Sequence, residues 1–249
     1  MTTEEKKLLR RAEELAAHAG SRGVYTRTAF LTEGEAAFLM EVSLPIKPSF
    51  FGGFPEAERC VAVFGSEEEF GYPWESDLVI LKIEPQIQKF ADALAHRDFL
   101  GAILNLGIKR ELLGDLLVYE NVGYQFVLEQ MADYLTENLN RVRHTSVKVS
   151  RCEALPEGAV VNLEERFVVA ALPRVDAVVG AVWNLSRSEA KKIVEEERIT
   201  LRGKKITDPS RDLLPGDRIS VRGYGRFYFD GEEKKTRSGR GRMKVRVFQ

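Results

Sequence analysis

The amino-acid sequence predicts an α+β, multi-domain protein, and three observations carry that reading. Between Leu78 and Val149, apolar runs and helical stripes follow one another as strand, helix, strand, strand, helix, strand. From Arg174 onward, two short amphipathic helices precede a series of strands. The charge is also partitioned: residues 174–249 hold 19 Lys and Arg against 11 Asp and Glu, and the other 173 residues hold 18 against 27. A whole-chain charge of −1 therefore hides a module of +8 on a body of −9. A local excess of this kind attracts a polyanion, usually nucleic acid, because attraction and counterion release act at the patch. The alternative is a merely solvated charged face.

Composition narrows the class. At 249 residues, the chain has room for one large or two to three small domains. Its 44% hydrophobic and 30% charged residues are those of an ordinary globular protein. The start, Met1-Thr2-Thr3-Glu4-Glu5-Lys6-Lys7, has no apolar h-region, so no secretory signal is expected. No apolar run reaches the ~18 residues of a membrane span, and no membrane partner is expected. Cys60 and Cys152 stand apart, and the histidines are His18, His96 and His144. That pattern suits a reducing cytoplasm and predicts neither a metal site nor a cofactor.

The elements can be justified in order. In residues 1–75, a mixed α/β region, Leu8, Leu9, Ala12, Leu15, Ala16 and Ala19 recur at helical spacing, with Gly20 as the stop. Thr32 with Glu35 three residues on predicts an N-cap for a helix through Met40. Phe50-Phe51-Gly52-Gly53-Phe54-Pro55 breaks regularity as a packed turn or a binding loop, and Cys60–Phe64 reads as a strand. In residues 76–152, Leu78–Ile83 is a strand ended by Pro85. Ile87, Phe90, Ala91 and Leu94 give a helical stripe, and a second helical stretch runs through Leu106. Leu116–Tyr119 and Tyr124–Leu128 flank the turn Asn121-Val122-Gly123, Met131–Leu139 is helical, and Ser146–Val149 is a further strand. This βαββαβ order is that of a ferredoxin-like (RRM-like) fold, common among RNA-recognition domains.

Residues 153–173 read as a connector with a strand at Phe167-Val168-Val169. In residues 174–249, Val175, Val178, Val179 and Val182 form one helical stripe. Ser186 with Glu189 forms a capping box for the next helix, which buries Ala190, Ile193 and Val194. Strands follow at Ile199–Leu201, Lys205-Ile206 and Arg218–Val221, with turns at Arg202-Gly203 and Pro215-Gly216-Asp217.

Arg187, Lys191 and, one position round, Lys192 lie near one face of that second helix, since residues four apart are neighbours. Arg202, Lys204 and Lys205 sit in the hairpin that follows. A basic helix face beside a basic hairpin makes a phosphate-binding surface, where the planar Arg fork is favoured. Asp217 after Gly216 reads as the residue that orders a tight turn. The tail from Arg222 through Tyr224 and Arg226 to Phe229, then Lys234 to Arg246, mixes cations, glycines and aromatics. Its rings could stack on unpaired bases while the cations hold the backbone, or it could be a final strand pair with a frayed basic end.

Arg174-Val175-Asp176, Ser186-Arg187-Ser188-Glu189-Ala190, Arg202-Gly203-Lys204 and Gly216-Asp217 occur in the order of the alpha-L RNA-binding domain. This stretch resembles that module, named for ribosomal small-subunit protein S-four, and the resemblance adds Arg174 and Ser186 to the candidate RNA contacts. Leu201-Arg202 stands where the module usually has asparagine.

His96-Arg97-Asp98 invites a catalytic reading, but a kinase loop needs Asn five residues after the Asp, and Ile103 holds that place. Arg97 and Asp98 are expected to form a buried pair, and no catalytic residue is assigned. Tyr124-Gln125-Phe126-Val127 is only faintly like the aromatic strand of an RRM.

The segments His96–Ala102, Leu106–Glu111 and Gly114-Asp115 also resemble the signature of the YlmH family. Gly52-Gly53-Phe54 with Ala57-Glu58-Arg59 upstream, and Gly223–Phe227 downstream, extend the resemblance over almost the whole chain. Cys60 stands where family members often have a basic residue. The resemblance implies a cytoplasmic bacterial RNA-binding protein, monomeric away from the ribosome, with an RRM-like middle domain and an alpha-L domain. Its implied partners are rRNA and tRNA on the large ribosomal subunit, in rescue of stalled translation. Two alternatives stand beside this expectation: an RNA-modifying enzyme anchored by the alpha-L domain, and a cell-division adaptor.

Overall fold

The structure, a computed structural model, describes residues 1–159, 163–236 and 239–248. Contacts divide the chain into two units, Met1–Val160 and Val161–Gln249. Helix α1 (Thr3–Arg22) opens the first unit. The Glu5 amide donates to the Thr2 hydroxyl at 3.1 Å, and the Thr2 amide donates to the Glu5 carboxylate at 2.7 Å. The helix runs through Gly20 and ends at Gly23, whose φ of 62° is the left-handed cap glycine adopts freely. Strand β1 (Thr26–Arg27) leads to α2 (Glu33–Glu41), capped by the Thr32–Glu35 box as its sequence predicts. Strands β2 (Ser49–Phe51) and β3 (Val61–Phe64) complete a small sheet of order β1-β3-β2. A four-residue helix, α3 (Glu67–Phe70), follows.

The second part of this unit is a strand, helix, strand, strand, helix, strand series. It comprises β4 (Leu78–Pro85), α4 (His96–Leu104), β5 (Leu113–Tyr119), β6 (Val122–Leu128), α5 (Glu129–Asn138), a two-residue β7 (Arg141–Val142) and β8 (Thr145–Cys152). Its sheet has the antiparallel order β5-β6-β4-β8-β7. The stripe expected as a helix around Ile87 and Phe90 is only a 3₁₀ turn, Gln88–Phe90, with both apolar side chains exposed. The β5–β6 loop is the residue pair Glu120-Asn121, at φ 48° and 66°, as a tight primed hairpin turn requires.

The two faces of this sheet have different fates. Leu81, Ile83 and Val127 pack against Phe99, Ile103, Ala132 and Leu135 of α4 and α5. On the opposite face, Phe126 packs with Phe30, Val61 and Val63 from the small sheet and is only 1% exposed. Phe54, in the turn after β2, lies 5.2 Å from the Phe126 ring, so the Gly52-Gly53-Phe54 break is a packed turn. Two glycines admit these rings. A Cβ on Gly53 would stand 2.4 Å from Phe126, and one on Gly114 would stand 2.7 Å from Phe30.

Polar groups hold the same seam. A register shift between Leu113 and Leu116 frees carbonyls of β5. The Arg59 Nε–H donates to the Leu113 carbonyl at 2.8 Å, and its other nitrogen reaches the Phe30 and Arg110 carbonyls at 3.2 Å. Arg110 donates to the Leu113 and Gly114 carbonyls, and the buried Gln125 amide to those of Gly114 and Asp115. The Glu58 amide donates to the Asp115 carboxylate at 2.6 Å. Burial, followed by the neighbouring Arg59, pushes the Arg110 guanidinium down to about 10. Arg27 forks onto Asp77 just before β4, and that hydrogen bonding holds the Asp77 carboxyl below its usual range.

The second unit folds around one sheet. Strand β9 (Leu163–Ala170) precedes α6 (Val175–Val182) and α7 (Arg187–Glu195). Strands β10 (Ile199–Leu201), β11 (Lys204–Lys205), β12 (Asp217–Val221), β13 (Gly225–Lys235) and β14 (Gly241–Phe248) follow, in sheet order β11-β10-β12-β13-β14-β9. Leu163–Ala170, read as part of a connector, is a sheet strand paired with β14 along its whole length. Val178, Val179, Ile193 and Val194 of the helices pack on Phe227, Phe229, Met243 and Val245. Arg237 and Ser238 of the basic tail lie outside the described residues.

Gly114→Ala is expected to force Phe30 and Phe126 apart, lowering first-unit stability by about 1–3 kcal/mol; a reduced midpoint in urea unfolding checks it. Asp77 is depressed in the folded state, so its contribution is full above its unfolded value of about 3.9 and is lost as pH falls through the folded value. Asp77→Asn should therefore flatten stability against pH below about pH 4, read from melting temperatures across an acid series.

Candidate nucleic-acid interface

The capping box of α7 begins the site. The Glu189 amide donates to the Ser186 hydroxyl at 3.2 Å, and the hydroxyl donates to the Glu189 carboxylate at 2.7 Å. That bonding holds the Glu189 carboxyl below its usual range. Ser186 thus aims the helix, and Arg187 projects from its first turn, exposed and without an ion-pair partner among the described residues. Lys191 and Lys192 are also exposed, 3.5 and 3.8 Å from Glu195 and Glu196 one turn on. Exposed pairs of this kind contribute only about 0.3–0.5 kcal/mol, so a phosphate can displace either acid.

The turn joining β12 to β13 supplies a second set. Arg222 and Arg198 bond each other's backbone, through the Arg222 amide at 2.9 Å and the Arg198 guanidinium at 2.8 Å. Gly223, at φ 89°, lets the chain turn so that the Tyr224 amide donates to Val221. The half-exposed Tyr224 ring then lies 6.0 Å from Trp183, with the Arg198 guanidinium 5.7 Å from its centroid. Trp183 closes α6 three residues before Ser186, so ring, guanidinium and helix start are joined by a short chain segment. An exposed ring flanked by cations can stack a base and hold its phosphate.

The hairpin residues distribute differently. Arg202, at φ 48°, donates to Asp217 at 2.7 Å, and Asp217 is buried and accepts the Leu214 amide. Asp217 therefore orders the turn as its sequence predicts, and it holds Arg202 as well. Arg202 lies across from Arg218, at the opposite end of β12 from Arg222. Lys205 pairs with Glu197 at 2.9 Å beside the end of α7, and Lys204 is exposed one residue before it. Arg174 forks onto Asp176 at the start of α6.

Arg226 belongs to neither set. Its neighbour Phe227 faces the helices, so Arg226 projects from the other face of the sheet, 4.7 Å from the Phe248 ring. The same face carries Arg246 over Tyr228 and Arg242 over Phe167. The tail is thus a strand pair, with Lys234, Lys235 and Arg240 exposed near its tip. Arg198 and Trp183 were absent from the expected contacts. Each sits in the helix-to-strand periphery, and only the strand register brings them to Tyr224.

Residues 174–219 match the family model described as "S4 domain". Residues 73–155 match the one described as "Putative RNA-binding domain in YlmH". The chain carries a YlmH-type RNA-binding domain and a C-terminal S4 domain. It is 27% identical over 219 residues to the "Ribosome-associated protein quality control protein P2" of Bacillus subtilis (strain 168), covering 87% of this chain and 84% of that relative. It is also similar to the solved "Cell division protein ylmH from Streptococcus pneumoniae", at 21% identity and a TM-score of 0.47, covering 61% of this chain and 93% of that one. The S4 match begins at Arg174 and includes both helices, the β10–β11 hairpin and Asp217. The YlmH-type domain spans the five-stranded sheet and its two helices, and no helix in the described residues is long and apolar enough to cross a membrane.

Asp217→Asn is expected to loosen the S4 domain by about 1.5–3 kcal/mol, the scale of a hydrogen bond to a charged group. Arg202→Ala, which leaves the acceptor for the Leu214 amide in place, should cost less. Differential scanning calorimetry of both variants checks the order.

Proposed function

We propose that this chain binds structured RNA on the ribosome and performs no chemistry on it. The S4 domain supplies the contact through α7 and the adjoining aromatic turn, using Arg187, Lys191, Lys192, Arg198, Arg222 and Tyr224. Lys204 and Lys205 extend the surface along the hairpin. Ser186, Arg174 and Arg202 support it, since each is engaged within the domain. The observation that carries the reading is an S4 domain whose second helix presents Arg187, without an ion-pair partner among the described residues, beside two displaceable lysines.

The target is rRNA and tRNA on the large subunit, in the rescue or quality control of stalled translation. The name of the Bacillus subtilis relative supports the ribosome-associated quality-control part of that reading. The geometry of the acids supports a non-enzymatic role. Asp115 accepts a backbone amide inside the seam, and Asp98 accepts the Ala95 amide at 2.9 Å, capping α4. Asp98 sits near Arg143 rather than pairing with Arg97, the expected partner.

Arg187→Ala and Lys191→Ala should each weaken RNA binding and leave the melting temperature unchanged, because both side chains are exposed. Each lost phosphate contact should lower the slope of log affinity against log salt by about 0.7–0.9. Co-sedimentation of the full chain with large subunits across a salt series reads this. Unchanged co-sedimentation in both variants would refute the assignment of α7 as the contact surface.

A further inference from the structure

The YlmH-type domain has a second basic feature that the S4 surface does not include. A cleft of about 510 Å³ opens between α4 and the segment from Asn138 to Arg143. Its lining holds three arginines, Arg97, Arg141 and Arg143, against one acid, Asp98. Residues 1–160 as a whole hold 17 Lys and Arg against 25 Asp and Glu, so the cleft runs against the charge of its own unit. We infer that this cleft is a second RNA-contact site, which takes a phosphate-linked nucleotide of an unpaired RNA segment; the inference rests on the RNA-binding reading above.

The cations are available. Arg97 and Arg141 are exposed and have no ion-pair partner among the described residues. Arg143 stands 3.9 Å from Asp98, beyond hydrogen-bonding distance, while that carboxylate already accepts the Ala95 amide. Arg143 also holds φ at 52° in the two-residue turn between β7 and β8, where Asn or Gly would sit without strain.

The floor is equally specific. Arg97, Gly101 and Asn105 lie four apart and so line one face of α4. A Cβ built on Gly101 would meet nothing within 4 Å, so open space stands over bare helix between the arginine and the asparagine. Asn105 and Asn140 add exposed amides, which can both donate to and accept from base edges or a ribose 2′-hydroxyl. The cleft is open along one side, whereas small-molecule sites enclose most of their ligand. A polymer that dips one nucleotide into the cleft fits that shape.

Location supports the same reading. An RNA-recognition sheet ordinarily stacks bases on aromatics of its open face. Here Phe126 and Tyr124 are both buried on that face. The cleft lies on the helix side of the domain, away from those buried rings.

The test uses the full chain with a fluorescent RNA stem-loop that has an unpaired loop. Three variants are compared with the unsubstituted protein: Arg97→Ala with Arg141→Ala, Gly101→Glu, and Arg187→Ala as the S4 reference. The double variant should bind the stem-loop about tenfold more weakly, with a salt slope lower by about 1.4, two contacts at ~0.7 each for single strands. Gly101→Glu places a carboxylate between the arginines, in open space, and should weaken binding without lowering the melting temperature. Full affinity and slope in both cleft variants, while Arg187→Ala binds weakly, overturns the cleft and leaves the S4 reading standing. An unsubstituted protein that does not bind the stem-loop overturns both. Uridine monophosphate bound in the cleft, with RNA affinity unaffected by the cleft variants, would make it a free-nucleotide site and also overturn the inference.

Discussion

The first unit depends on one buried seam, where the Phe126 ring meets Phe30 and Phe54 over two glycines. Without it, the small sheet of residues 26–64 has one apolar face turned to water, and a three-stranded sheet of that size is marginal alone. The aromatic contacts supply the burial, and Arg59 and Arg110 supply donors for carbonyls that the β5 irregularity leaves unpaired. Burying a guanidinium beside a second one is costly, and burial first and Arg59 second push Arg110 down. Backbone carbonyls offset that cost from several directions at once. Six residues from the segments that resemble the YlmH signature, Gly53, Phe54, Arg59, Arg110, Gly114 and Asp115, converge here. Their role is architectural.

Closing this seam also decides which surfaces remain for binding. Around Phe126 that face is covered and cannot stack bases, and the contacts proposed above lie on helix faces, turns and a cleft instead. The same logic applies in the S4 domain, where one sheet face is under α6 and α7, and the accessible contacts lie on α7 and at the β12–β13 turn. Net charge is a poor guide to either surface. Lys191, Lys192 and Lys205 are each answered by a nearby glutamate. On the proposed reading, RNA phosphates would displace these glutamates from weak exposed pairs, while Arg187 meets the RNA without such an exchange.

Local signals were legible in the sequence, and non-local ones were not. The capping boxes at Thr32 and Ser186, the valine stripe of α6 and the Gly216-Asp217 turn are written within a few residues, and the structure reproduces each. Gly20 misled because a glycine can sit inside a helix at modest cost, and the left-handed cap falls at Gly23. The Ile87–Leu94 stripe has helical spacing without a partner surface, and it stays extended around one 3₁₀ turn. The sequence shows β9 only as a short strand at Phe167–Val169 within a connector, because its pairing partner, β14, lies at the other end of the unit. In the candidate site, Arg187, Lys191 and Tyr224 could be read from spacing and composition. Arg198 and Trp183 could not, because they reach Tyr224 only through the pairing of Ile199 with Val221 and the packing of α6. Arg226 was grouped with Tyr224 by proximity in sequence, yet strand alternation turns it to the opposite face.

The seam also sets an order of events during synthesis. Phe30 and Phe54 leave the ribosome well before Phe126, the ring that covers them, has been made. Until β6 emerges, the early segment carries exposed aromatic side chains and an unfinished sheet edge, the features that invite aggregation or chaperone capture. A chain interrupted anywhere before residue 126 would keep those rings uncovered, and the fault would be visible to a protease or chaperone as a sticky N-terminal fragment.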